Sequence, residues 1–187
     1  MSLLKIIQDC IDNKREAQFL LFDTFSDFVI RICERYCPDV PTAKDLSQIT
    51  FIKIFKNLSA FDVRKGSFKN WIQRIAINEC LQFLRKKKLL VFVDDFSTVR
   101  LTEELEDDAP SDDHLLAHAR IRELIDALPS GYRTVFLLSE VDGYSHKQIG
   151  EELGISEATS RSQLFKAKKA LKKNWESTSP IRKALQG

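Results

Sequence analysis

The stretch WIQRIAINECLQFLRKKK, residues 71–88, decides the fold class. At 100° per residue, Ile72, Ala76, Ile77, Cys80, Leu81, Phe83 and Leu84 fill one continuous half of a helical wheel. That is the apolar face of a helix packed on a core. The opposite arc holds Arg74, Asn78, Gln82 and Arg85, with Lys86 at its edge. Trp71 falls in the middle of this polar arc, and the helix runs out into Arg85-Lys86-Lys87-Lys88. A large aromatic among amides and cations, followed by a basic run, asks for a reason beyond packing.

The surrounding charge pattern sharpens the question. The chain of 187 residues carries a net charge of only +2. Residues 1–50 hold six Lys/Arg and eight Asp/Glu, a balance of −2. Residues 51–88 hold ten against two (+8), residues 89–113 one against nine (−8), and residues 114–187 twelve against eight (+4). Two basic modules are thus separated by an acidic strip, and that layout says more about partners than the total does. A length of 187 residues suits two small domains. No run of eighteen apolar residues occurs, which excludes a membrane span, and MSLLKIIQDC is too short and too charged for a signal peptide. Cys10, Cys33, Cys37 and Cys80 lie in helical patterns with no C-x-x-C pair. They read as reduced, buried thiols of a cytoplasmic protein.

Few glycines and little strand-like alternation make the chain all-α. Residues 14–37 place Phe19, Phe22, Phe25, Phe28/Val29 and Ile32 at three-to-four spacing, and Pro38 stops that helix. A further helix is expected from Thr42, with Asp45 completing a capping box, to about Leu58. The loop SAFDVRKGS (59–67) leads to a Ser67 N-cap and the opening helix. Residues 1–90 therefore form one helical domain. Residues 91–113 have one basic residue, a proline and no sustained period, and read as a flexible acidic linker. Residues 114–187 form a second helical domain. In it, HKQIGEEL is capped by Ser145 and Gln148 and closed by Gly154, and a basic helix follows over 157–173. A short helix, a glycine-containing turn and a longer helix make a helix-turn-helix.

That last helix repeats the oddity of the first. Ser160, Leu164, Ala167 and Leu171 form a narrow inward stripe. The outward arc holds Arg161, Ser162, Lys166, Lys168, Lys169, Lys172 and Lys173, with Phe165 among them. Two basic helices, each with one embedded aromatic, point to nucleic acid. Phe165 can meet a thymine methyl in the major groove, or pack on its own domain's tail. Trp71 can stack on an unpaired base, or pack on a neighbouring helix, with Asn78 and Gln82 either donating to bases or merely solvated. His114 and His118 have the spacing of a metal pair, but His146 lies in another helix and no glutamate intervenes, so they read as solvated. No metal site, no cofactor-binding loop and no nucleophile with a base is found, and nothing in the sequence suggests an enzyme.

At this point the residues resemble the extracytoplasmic-function group of bacterial sigma factors. AKDLSQITFIKIFKNLSAF (43–61) followed by FKNWIQRIAINECLQFLRKKK is similar to the family's polymerase-binding and promoter-melting region, with its Asp-Leu-x-Gln, its Trp-x-x-x-Ile and an Asn three residues on. LPSGYRTVFLLSEVDGYSHKQIGEELGISEATSRSQLFKAKKAL (128–171) is similar to its C-terminal helix-turn-helix. The resemblance implies binding to core RNA polymerase, delivery to a promoter and opening of the duplex. It implies an anti-sigma factor as a further partner and no membrane insertion. By position, Asp45, Gln48 and Phe51 match the polymerase-docking helix. Phe61 in loop 59–67 matches the element that holds a flipped minus-ten base, and Asn78 matches the minus-ten reader. Trp71, Arg74, Gln82 and Arg85 share Asn78's arc. Arg161, Ser162, Phe165 and Lys166 match the minus-thirty-five reader. Lys44 and Ile49 stand where the family usually has acids, Ala158-Thr159-Ser160 replaces Gly-Thr-Val, and Gln163 and Lys166 stand at two usual arginine positions.

Two other readings use the same residues: a stand-alone helix-turn-helix regulator, and an adaptor that binds protein only. The linker favours the sigma-like reading, since about 22 residues extend to ~70 Å, the length of two turns of DNA.

Overall fold

The computed structural model describes residues 2–92 and 113–178, with side chains for 2–92 and 119–176. Among these residues every regular element is helical. The chain divides into two compact units, Met1–Lys88 and Leu89–Gly187.

The first unit contains α1 (Leu3–Ile11), α2 (Arg15–Tyr36), α3 (Val40–Asn57) and α4 (Phe68–Lys86), with short 3-10 turns at Leu58–Ala60 and Val63–Lys65. Helix α1 does not stand out in the sequence reading. Ser2 caps it, and it docks through Ile7 and Cys10. Its Asp9 is buried at the α1–α2 corner, where Lys14 at 2.7 Å and Lys5 at 3.2 Å hold the carboxyl below its usual range. Helix α3 is capped by Asp39 and starts at Val40, not at Thr42. The Asp39 carboxylate accepts from the Thr42 amide at 2.7 Å and its hydroxyl at 3.0 Å, and Pro41 sits in the first turn, where no amide is needed. Asp45 is therefore a mid-helix surface residue.

Helices α2, α3 and α4 pack on one another. The wheel phase of α4 holds: Ile72, Ala76, Ile77, Cys80, Leu81 and Leu84 are all buried. The phenylalanine stripe of α2 does not hold as a core stripe. Its buried face is Ala17, Leu21, Val29, Ile32, Cys33 and Tyr36, while Phe19 is 70% exposed and Phe22 lies half out, its ring 4.7 Å from Phe51. Phe25 and Phe28 are half-buried, so the phenylalanines sit at the rim of this face. All four cysteines are buried free thiols, as the sequence suggested. Hydrogen bonding with the Cys33 and Cys37 thiols, and then burial, push the Cys80 thiol upward, which keeps it protonated and inert.

The second unit contains α5 (Asp113–Asp126), α6 (Ser130–Phe136), α7 (His146–Leu153) and α8 (Glu157–Thr178). Helix α6 runs on through a π-helical turn at Leu137–Val141. Leu128, Tyr132, Ala167 and Ala170 form a core, with Phe136 and Leu171 against it. Ser145 and Gln148 make the expected capping box, and Gly154 ends α7 in the left-handed region (φ 68). Leu89–Phe92 belongs to the second unit, and the Gly131 amide donates to the Val91 carbonyl at 3.1 Å. The rest of the expected linker, 93–112, lies outside the described residues, as does the tail from 179.

Leu81 is fully buried and Gln82 beside it is exposed. Leu81→Ala is expected to destabilise the first unit by about 2–5 kcal/mol and Gln82→Ala by no more than about 0.5 kcal/mol in urea unfolding. Equal costs at the two positions would reject the assigned phase of α4.

Candidate nucleic-acid interface

Ser67 caps α4 by accepting from the Asn70 amide at 3.2 Å, which starts the helix immediately after the loop 59–67. Trp71 then lies one turn in, half-buried. Its indole stacks on the Phe68 ring (centroids 5.5 Å apart, planes 22° apart) and meets Phe61 at 5.7 Å. Phe61 in turn meets Phe68 edge-on at 5.0 Å, and Phe68 meets Phe25 at 5.4 Å. Of the two readings open for Trp71, packing is what the structure shows. The packing, however, is on its own helix and on the loop, not on a neighbouring helix. This aromatic group ties loop 59–67 to α4. Within the loop, Asp62 accepts from the Arg64 amide at 3.0 Å and pairs with its guanidinium at 2.8 Å, which holds the Asp62 carboxyl below its usual range.

Farther along the same arc, Arg74, Gln82 and Arg85 are exposed, as are Lys86, Lys87 and Lys88. Asn78 is half-buried, and its Oδ1 has no hydrogen-bond partner among the described residues. An enclosed, unpaired amide oxygen is costly. Glu79 is a residue the sequence reading missed. It is buried at the edge of the apolar half and paired with Lys53 of α3. An acid at the border between the apolar half and the basic arc was the available signal.

On α3, Asp45 and Gln48 share an exposed face with Ile49, Ile52 and Lys56. Phe51 is not on that face. It is 4% exposed and packs between Phe22 and Phe55. It lies beneath that face and supports it from within the core. Ile49 and Ile52, both exposed, give this face an apolar character, Ile49 at a position where the resemblance implies an acid.

On α8 the expected division is present. Ser160, Leu164 and Ala167 face inward, with His146 Nδ1 2.9 Å from Ser160 Oγ joining α7 to α8. Arg161, Ser162, Lys168, Lys169, Lys172 and Lys173 are exposed, and Lys166 is half-buried. Phe165 is 69% exposed and packs on no ring among the described residues. Gln163 is buried, so it does not take the outward place of the arginine it stands for. Arg161 pairs with Glu157 one turn back, which lowers the Glu157 carboxyl's pKa. Ser162 Oγ donates to the Thr159 carbonyl at 3.0 Å, and Lys168 meets Glu140 at 2.9 Å. The side chains of His114 and His118 lie outside the described ones. Among the described residues no group of three or more His, Cys, Asp or Glu could hold a metal ion, and no helix is long and apolar enough to cross a membrane.

Two helical units, the second a helix-turn-helix, with a basic aromatic-bearing face on each, define a DNA-binding protein of modular design. Residues 21–89 match Sigma-70 region 2, and residues 118–171 match Sigma-70, region 4. The chain is 30% identical to the ECF RNA polymerase sigma factor SigW of Bacillus subtilis, over 92% of this chain and 96% of that protein. It is 26% identical to the ECF RNA polymerase sigma-E factor of Haemophilus influenzae, over 89% of this chain and 91% of that protein. In fold it is similar to CnrH, solved in complex with the cytosolic domain of CnrY (TM-score 0.52, 18% identity, 93% of this chain and 97% of that one). The chain belongs to the sigma-70 family, in its extracytoplasmic-function group, and is a promoter-specific RNA polymerase sigma factor.

Because Trp71 is wedged between Phe61 and Phe68, Trp71→Ala is expected to cost about 2 kcal/mol in thermal unfolding of the full chain. Trp71→Phe should recover most of that loss. Wild-type stability in Trp71→Ala would return the indole to solvent and restore the base-stacking reading.

Proposed function

We propose that the two basic faces divide the promoter between them. The exposed α3 face around Asp45 and Gln48, widened by Ile49 and Ile52 and supported from beneath by Phe51, binds core RNA polymerase. The loop carrying Phe61 and the α4 arc of Trp71, Arg74, Asn78, Gln82 and Arg85 engage the minus-ten element as it opens. Extrusion of a base costs a few kcal/mol, offset by stacking and by hydrogen bonds to its edge. Arg74, Arg85 and the following lysines hold phosphates without regard to sequence. Arg161, Ser162, Phe165 and Lys166 read the minus-thirty-five element in the major groove, where arginine meets guanine and the phenyl ring meets a thymine methyl. The chain acts as a regulatory, non-catalytic subunit in the cytoplasm, with no cofactor. An anti-sigma factor, implied by the resemblance, withholds it from polymerase.

The observation that carries this reading is the enclosed Asn78 Oδ1 without a partner, on the same arc as the exposed cations. A base amino group is the donor it lacks. Asn78→Ala is expected to lose about 1–3 kcal/mol of discrimination at one minus-ten position. Polymerase affinity should be unchanged. Transcription from a set of single-base promoter variants measures the first, and gel filtration with core polymerase the second. A uniform loss on every variant would remove Asn78 from base reading.

In the second unit, Arg161→Ala should relax preference at one minus-thirty-five base by about 1–3 kcal/mol. Lys172→Ala should weaken binding evenly across sequences and flatten its salt dependence. A uniform loss for Arg161→Ala would make Arg161 a phosphate contact.

A further inference from the structure

Helix α8 carries one acid on an otherwise basic face. Glu157 is the only acid in residues 157–173, against six lysines and arginines. At about 100° per residue it falls with Arg161, Phe165, Lys168 and Lys172 inside one arc of roughly 80°. All five residues are exposed. Phosphates repel an anion on a face that meets DNA, so its presence calls for a partner that donates.

The start of α8 does not depend on this carboxylate for a cap. Ser156 Oγ accepts from the Thr159 amide at 2.9 Å and fills that place. The Glu157 side chain reaches forward along the arc to the Arg161 guanidinium, through Oε1 and one terminal nitrogen. A carboxylate accepts at two oxygens and a guanidinium donates five hydrogens, so both heads keep capacity for a base. Arg161, then His146 and Lys147, hold the Glu157 carboxyl below its usual range, and it stays an acceptor. The turn before it is seated closely on α7. The Ile155 amide donates to the Gly150 carbonyl at 3.1 Å, and a Cβ on Gly150 would fall 2.7 Å from the Ile155 carbonyl oxygen. His146 Nδ1 lies 2.9 Å from Ser160 Oγ, one turn further on.

Base edges in the major groove sort the two heads. Arginine meets O6 and N7 of guanine, and a carboxylate accepts from the N4 amino group of cytosine. Two heads in contact are separated by about one base step of ~3.4 Å. We propose that Glu157 is a specificity-determining residue of the minus-thirty-five reader, accepting from a cytosine amino group one base step from the guanine that Arg161 meets. The inference rests on the reading of α8 proposed above and extends it to the one acid on that face.

The test uses holoenzyme assembled from the full chain and core polymerase. It is offered promoter duplexes randomised over the minus-thirty-five element, and the bound duplexes are sequenced. Glu157→Ala is expected to lose roughly tenfold of the preference for cytosine at one position. Duplexes without that cytosine should bind at least as well as to the wild type, because an anion facing phosphate has gone. Arg161→Ala should relax guanine at the neighbouring position. An unchanged cytosine preference in Glu157→Ala, whether overall binding rises or falls, would overturn the inference. Relaxation at the Arg161 guanine alone would reduce Glu157 to a prop for that side chain and overturn it equally. Arg161→Ala and Phe165→Ala also test the underlying reading. If they shift the base profile and Glu157→Ala does not, the role of Glu157 alone is withdrawn. If none of the three shifts it, α8 does not read the element and the inference falls with that reading.

Discussion

Burial of one half of α4, and only one half, is the constraint on which the first unit depends. Ile72, Ala76, Ile77 and Leu81 have no exposed surface, so the helix cannot rotate without leaving voids in a core packed like a crystal. That fixed phase sets the polar arc outward along the whole helix. The Lys53–Glu79 pair ties α3 to the flank of α4. The same packing turns the outer face of α3 to solvent, with Asp45, Gln48, Ile49 and Ile52 on it. The outer face of α3 and the polar arc of α4 are thus two consequences of one interior.

The second unit solves the same problem with smaller residues. Ala167, Ala170 and Ser160 line the inner side of α8 and let α6 and α7 approach closely. The outer side is left to cations and to Phe165. Several of those cations are already partnered within the unit, Arg161 with Glu157 and Lys168 with Glu140. Exposed pairs of this kind are worth little, so they orient the long side chains without withholding them from phosphate.

The aromatic group at the head of α4 connects the interior with the interface. Phe68 is buried, Trp71 stacks on it, and Phe61 leans on both. The loop that carries Phe61 is therefore placed by contacts that reach the core through Phe25. A mobile loop would pay an ordering cost on binding that a packed one has already met.

The sequence alone determined the helical class, the phase of α4 and of α8, the helix-turn-helix and the basic faces. Each rests on periodicity or on a local cap, and such signals act between residues close in the chain. It determined the family as well, because two motif-bearing segments in one order are specific. The tertiary structure alone decided which aromatics are core. Phe19 and Phe51 carry the same side chain in neighbouring helices, yet one is bare and the other enclosed, since only the crossing of α2 and α3 distinguishes them. It also decided the fate of Trp71, whose ring is met by Phe61 of a loop ten residues back, and of Glu79, whose partner lies on another helix. Finally, it showed why Gly131 is glycine: the backbone of Val91 occupies the place of its side chain, a contact between segments so far apart in sequence that no local pattern marks it.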